Sequence, residues 1–241
     1  MSVTSLEPNL RKRKVYAYAV HALTASGAVW GFLALLAIIE HDWKKMFVFM
    51  IIGLIIDSAD GHLARLAETK KYAPYVDGSL LDNIIDYLTF VIVPCLFFYL
   101  SDVLPPGWGL PAICAILLSS AYQFSQANAK TEDHYFTGFP CYWNLVALYM
   151  LVLGLNPWIN LVVLLILVVL IFVPIKYIYP SRTSSYFWLT NVLMLVLIAA
   201  GIYGFYLYPD VPAWVIWLSL GITVYYFGLS LWLQRKEKTA L

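Results

Sequence analysis

Apolar runs of roughly twenty residues, interrupted only by glycine, proline and charged positions, recur from one end of this 241-residue chain to the other. Each run is long enough to cross a hydrocarbon layer ~30 Å thick as a helix. The chain is 62% hydrophobic and 12% charged, whereas soluble domains are ~45–50% apolar and ~25% charged, so a soluble fold is excluded. The pattern predicts an all-α polytopic membrane helix bundle, a single integral membrane domain over 1–241. Eight transmembrane helices are expected, at roughly 18–40, 44–67, 79–100, 109–128, 139–154, 158–176, 186–208 and 212–234. The fifth is short because Gly138, Pro140, Gly154 and Pro157 crowd its ends.

The first run follows Arg11-Lys12-Arg13-Lys14. It is longer than a signal peptide's apolar stretch and has no cleavage pattern behind it, so it is expected to remain as the first span. Residues 6–16 mix apolar and basic positions; they read either as an interfacial helix on the inner membrane surface or as a tail carrying anchoring charges. A formal net charge of +1 argues against a nucleic-acid partner. Cys95, Cys114 and Cys141 lack metal-ligand spacing and read as small core hydrophobes.

Lysine and arginine accumulate in cytoplasmic loops of membrane proteins. With the N-terminus inside, Arg11, Lys12, Arg13, Lys14, Arg65, Lys70, Lys71, Lys130, Lys176, Arg182, Arg235, Lys236 and Lys238 fall on the inner side, and only Lys44 and Lys45 on the outer. All fifteen basic residues are used in that split, which implies an even number of spans and cytoplasmic termini.

Against this apolar background, Asp57, Asp60, Asp82 and Asp86 all fall inside expected spans. A carboxylate at membrane depth costs several kcal/mol and is retained when it is paired, metal-bound or turned toward water. Asp57 and Asp60 are three residues apart and Asp82 and Asp86 four, so each pair occupies one face of its helix. The two helices are consecutive and antiparallel. Counted from their inner ends, the pairs sit at matching depths of roughly 6–12 Å at ~1.5 Å per residue. Four converging carboxylates need cations or protons to neutralise them, and oxygen ligands without nearby Cys suit Mg²⁺ or Mn²⁺. His62 is on the opposite face of its helix. Gly61, Ala64, Gly78 and Ser79 leave space beside the acids, and Arg65 stands at the mouth. Helix packing through small residues is the plain reading of the glycines; beside four carboxylates, a metal-bridged polyphosphate site is the better one.

Written out, the stretch is Asp57-x2-Asp60-Gly61-x2-Ala64-Arg65-x12-Gly78-x3-Asp82-x3-Asp86. It resembles the signature of the CDP-alcohol phosphotransferases, membrane enzymes in which an alcohol displaces CMP from a CDP-linked donor. Most members have eight residues between the positions of Arg65 and Gly78. The longer gap here, and eight spans in place of six, are similar to the bacterial branch that uses choline. The resemblance implies that Asp57, Asp60 and Asp82, with Asp86 in the same cluster, bind one or two divalent ions that grip the CDP diphosphate, and that Asp86 is the general base. Gly61, Ala64 and Gly78 would make room for the nucleotide, Arg65 would sit by the phosphates, and Thr24, in a first-span sequence similar to the family's polar entry, would approach the cytidine. The same resemblance suggests a homodimer.

The segment from Tyr122 to Asn144 resembles the matching stretch of that choline-using branch. A quaternary ammonium is held by aromatic faces and a nearby carboxylate, and Tyr122, Tyr142 and Trp143 with Glu132 and Asp133 offer both. Aromatics also gather at membrane interfaces without any ligand. The expected reaction transfers the phosphatidyl group of CDP-diacylglycerol to choline, releasing CMP and leaving phosphatidylcholine, in the cytoplasmic (inner) membrane of a bacterium with the active site facing the cytoplasm. Serine, glycerol phosphate or inositol as acceptor is the nearest alternative. An ion-coupled transporter is another, disfavoured because the acids cluster at one end of the bundle and no repeated broken helices are visible.

Overall fold

The computed structural model describes residues 6–126, 135–178 and 186–239. Among these, α-helices are α1 (Leu6–Ile39), α2 (Trp43–Leu66), the short α3 (Thr69–Tyr72), α4 (Gly78–Asp86), α5 (Val93–Leu100), α6 (Gly109–Ser125), α7 (Trp143–Leu153), α8 (Pro157–Phe172), α9 (Phe187–Tyr206) and α10 (Ala213–Thr239). A π-helical segment, Tyr87–Ile92, joins α4 to α5 without a break. Two three-residue strands, β1 (Tyr135–Thr137) and β2 (Lys176–Ile178), pair antiparallel. The protein is thus an all-α membrane protein with one small ribbon added. Among the described residues, five helical segments have the length and hydropathy to cross a membrane: Asn9–Ile39, Trp43–Leu66, Gly78–Leu100, Phe187–Tyr206 and Ala213–Lys236. The apolar helices α6, α7 and α8 are shorter. Exposed side chains such as Phe32, Ile55, Leu118, Leu195 and Trp217 are what lipid solvates.

Contacts divide the chain into two compact units, residues 1–96 and 97–241. In the first, α1 runs unbroken for 34 residues, so the basic segment before the first span continues it and is not a separate surface helix. At ~1.5 Å per residue the helix is ~50 Å long, well beyond the hydrocarbon thickness. It is terminated by the turn at His41, at φ 55°, and Asp42 then caps the start of α2, its side chain accepting the Lys45 amide at 2.9 Å. At the other end, Arg13 donates to Glu68 and to the Tyr72 hydroxyl, each at 3.0 Å, and Lys71 pairs with Glu68 at 3.4 Å. Beneath them Ala17, Tyr72 and Ala73 form a buried cluster. Lys71's pKa is raised, first by its hydrogen bond to Tyr72 and then by Glu68, while Tyr72's is lowered chiefly by that same Lys71 bond.

The seam between α1 and the α4–π segment is built on small residues. A Cβ at Gly27 would lie 2.5 Å from Ile85 Cγ2, and one at Gly31 would lie 2.9 Å from Leu88 Cδ2. On the other side of α1, Trp30 and Phe49 of α2 pack with ring centroids 5.9 Å apart.

In the second unit the chain turns sharply before α7. Gly138 sits at φ 80°, and a Cβ there would collide with the Ile171 carbonyl oxygen. Its amide donates to Ile175 at 2.9 Å and that of Phe139 to Leu170 at 3.0 Å. These bonds explain why the helix expected over 139–154 begins only at Trp143, and why the one expected over 158–176 stops at Phe172 to feed β2. Tyr135, Tyr177, Ile178, Tyr226 and Leu233 form the core beside the ribbon. Cys95 and Cys141 are buried and Cys114 is exposed, all three unbridged.

Gly27→Val should lower the thermal unfolding midpoint of the detergent-solubilised protein, since overpacking costs ~1–3 kcal/mol. Gly221→Val, where nothing lies within 4 Å of the added carbon, is the control and should leave the midpoint close to wild type.

Candidate metal and phosphate site

Helix α2 carries Asp57 and Asp60 on one face, and α4 carries Asp82 and Asp86 on one of its own. Asp77 begins α4 by accepting the Ser79 and Leu80 amides at 3.0 and 3.1 Å. This cap fixes where the helix starts and so the turn on which Asp82 falls. Asp86 is the last residue of α4, directly before the π-helical segment. Such segments widen the turn and recur at functional sites.

All four aspartates line one small pocket. Thr24 and Gly27 of α1 close one side, and Gly53, Ile85 and Thr89 line the wall beyond the acids. Asp57, Asp82 and Asp86 each present a carboxylate oxygen such that the three lie within 4.8 Å of one another. Asp60 is more deeply buried, 7% exposed, and stands outside that trio while lining the same pocket. Oxygen ligands on opposite sides of a Mg²⁺-sized ion are ~4.2 Å apart. The trio therefore fits one divalent ion with only slight adjustment, and an all-carboxylate donor set suits a hard cation.

Thr24 lines this pocket; its hydroxyl is bonded back to the Val20 carbonyl at 3.4 Å. Gly61 is exposed, and a Cβ there would meet only Arg65 Nη1, at 3.7 Å. Ala64 is half-buried and Arg65 exposed at the end of α2. Gly78 lies against His21 of α1. A Cβ there would lie 3.0 Å from His21 Cε1 and 3.5 Å from Nδ1, so the imidazole of α1 occupies the space the glycine leaves.

The sequence reading missed Gly27, Gly53 and Thr89 as parts of the pocket. The signal was present: Gly27 and Gly31 are four residues apart on the α1 face that carries Thr24, and Thr89 follows Asp86 by three. The Thr89 methyl would be 3.4 Å from a Cβ at Gly31 and 3.9 Å from one at Gly53, so it fills the space where α1, α2 and the π segment meet.

The aromatic candidates belong to the second unit and differ among themselves. Trp143 is fully buried, donates its indole N–H to Ser120 at 2.9 Å and packs edge-on against Phe139. Its ring is enclosed in the core of the second unit. Tyr122 is half-exposed and lies against Phe172 with centroids 5.1 Å apart. Tyr142 is half-buried beside Tyr226, at 6.3 Å. Glu132 and Asp133 lie outside the described residues.

The chain is 43% identical over 222 residues to the phosphatidylcholine synthase of Legionella pneumophila, an alignment covering 89% of this chain and 87% of that protein. It is 38% identical over 225 residues to the phosphatidylcholine synthase of Pseudomonas aeruginosa, covering 93% and 94%. The chain belongs to the phosphatidylcholine synthase family. A member from Borreliella burgdorferi, 35% identical over 214 residues, extends the match with 89% and 91% coverage. No family model matches the chain. The relatives are bacterial, and with the apolar helices they make this a multi-pass bacterial membrane protein.

Mn²⁺ binding to the purified protein, followed by electron paramagnetic resonance, should weaken at least ~10-fold on Asp57→Asn or Asp82→Asn, because each removes a charged ligand from the trio. Asp60→Asn should weaken it less. An equal loss at Asp60 would extend the ligand set to all four carboxylates.

Proposed function

We propose that this protein is a phosphatidylcholine synthase, transferring the phosphatidyl group of CDP-diacylglycerol to choline with release of CMP. Family membership together with the aspartate pocket carries this reading. The signature that spans Asp57 to Asp86 also supports a place in the wider CDP-alcohol phosphotransferase fold. On that reading α6, α7 and α8 complete an eight-span bundle despite their length. The 13-to-2 division of basic residues supports cytoplasmic termini and a cytoplasmic active site.

The reaction needs two things from the protein: relief of negative charge on the diphosphate and removal of a proton from a weakly acidic alcohol. For the first, Asp57 and Asp82, with Asp60 behind them, would hold a divalent ion, whose charge would offset that of the diphosphate. Mn²⁺ and Mg²⁺ both match the ligands. Asp86 supplies the second. Its carboxylate takes the choline hydroxyl proton as that oxygen attacks the phosphorus bearing diacylglycerol. The bond from that phosphorus to the bridging oxygen breaks, and CMP departs with the bridging oxygen and its electron pair. In support, a carboxylate oxygen of Asp86 lies within 4.8 Å of those of Asp57 and Asp82, close enough for a base to act on an alcohol beside a phosphate held there. Arg65, exposed at the end of α2, adds a permanent positive charge for the incoming diphosphate. Tyr122 and Tyr142, with Glu132 and Asp133, remain the proposed contacts for the choline ammonium.

Protein purified in detergent and given CDP-diacylglycerol, labelled choline and Mn²⁺ or Mg²⁺ should form labelled phosphatidylcholine, and EDTA should abolish it. Product with serine, glycerol phosphate or inositol but none with choline would move the acceptor; no product with any alcohol would end the enzymatic reading. Asp86→Asn should abolish turnover while CDP-diacylglycerol binding is largely kept. If it loses donor binding as completely as Asp57→Asn, Asp86 is a ligand first and the base assignment is wrong.

A further inference from the structure

His21 is the one member of the α1 seam whose chemistry the site as described leaves unused. Its side chain is buried, 7% exposed, and its Nε2 lacks a hydrogen-bond partner. Leaving a buried polar nitrogen unpaired costs ~1–3 kcal/mol, and an apolar residue of similar shape would fill the space beside Gly78 without that cost. Such a cost is tolerated where a ligand supplies the partner.

The register of the seam says which part of a ligand this would be. His21 meets Gly78, Gly27 meets Ile85 and Gly31 meets Leu88, so α1 and the α4–π segment run side by side in the same direction. His21 stands one turn before Thr24 along α1, and Gly78 one turn before Asp82 along α4. The imidazole therefore lies past Asp82, at the end of the row of acids opposite to Asp86. In an in-line displacement the entering and leaving oxygens occupy opposite sides of the phosphorus. If the alcohol enters at the Asp86 end, the leaving nucleotide lies toward Asp82 and beyond it. The start of α4 does not fill this role alone, because Asp77 already takes the Ser79 and Leu80 amides.

We propose that His21 is a nucleotide-contacting residue, its Nε2–H donating a hydrogen bond to the cytidine monophosphate half of the donor, with Gly78 kept free of a side chain so that the imidazole can stand there. The proposal rests on the phosphatidyltransferase reading for the identity of the nucleotide. It adds a role that the aspartate signature does not contain, and it accounts for Gly78 through α1 instead of through direct contact with the ligand.

The test uses CMP binding to the full-length protein in detergent with Mn²⁺, measured by calorimetry, beside turnover kinetics. His21→Phe keeps a planar ring and removes the donor. It should weaken CMP binding and raise KM for CDP-diacylglycerol ~10–100-fold, the loss of one hydrogen bond to a charged group, with KM for choline, Mn²⁺ affinity and the unfolding midpoint unchanged. His21→Gln, whose amide nitrogen reaches the Nε2 position, should restore much of the CMP affinity, whereas His21→Asn, which reaches only Nδ1, should not. Unchanged CMP affinity in His21→Phe overturns the proposal. So does a loss in all three variants that follows the unfolding midpoint, since that is the behaviour of a packing residue. Failure of the wild-type protein to make phosphatidylcholine would strike the enzymatic reading instead, and the CMP measurement would still decide the role of His21.

Discussion

Carboxylates at membrane depth are the constraint around which the first unit is arranged. Four aspartates brought to one small pocket repel one another in a medium that screens poorly, and only cations or protons make the arrangement tolerable. The neighbouring structure keeps them close all the same. The Arg13–Glu68–Lys71–Tyr72 cluster fixes the connection between the two acid-bearing helices, the Asp77 cap fixes where the second begins, and Gly27 and Gly31 let α1 close over them. Three separate devices holding four like charges together is the mark of a site built for a cation-bearing ligand.

The same geometry divides labour among residues that are chemically identical. Asp57, Asp82 and Asp86 can share one ion, while Asp60 lies deeper in the same pocket. The proposed base therefore stands within the group of ligands, not apart from it.

Much of this was legible in the sequence, and the parts that were not share a cause. The apolar runs set the helices because lipid offers no partner to an unpaired backbone group, and the spacing of the aspartates set their faces because helical periodicity is local. What periodicity cannot report is which residue of one helix meets which residue of another. His21 against Gly78, and Thr89 between Gly31 and Gly53, depend on the register of α1 against α4, which is fixed by packing across the seam. The early end of the helix expected over 158–176 and the late start of the one over 139–154 arise likewise from Gly138 turning against Ile171, a contact between distant positions. Trp143 was singled out by the resemblance of its segment and by its aromatic face, neither of which reports packing. Its use in the core depends on Ser120, twenty-three residues earlier.

The central claim is that the aspartate pocket holds a divalent ion and the diphosphate of a CDP-linked lipid together. Electron–nuclear double resonance on Mn²⁺ bound to the purified protein, recorded with and without CDP-diacylglycerol, tests it most directly. The account predicts a phosphorus hyperfine coupling that appears with the lipid and disappears in Asp57→Asn. Mn²⁺ bound at these aspartates with no phosphorus coupling at saturating CDP-diacylglycerol would contradict it.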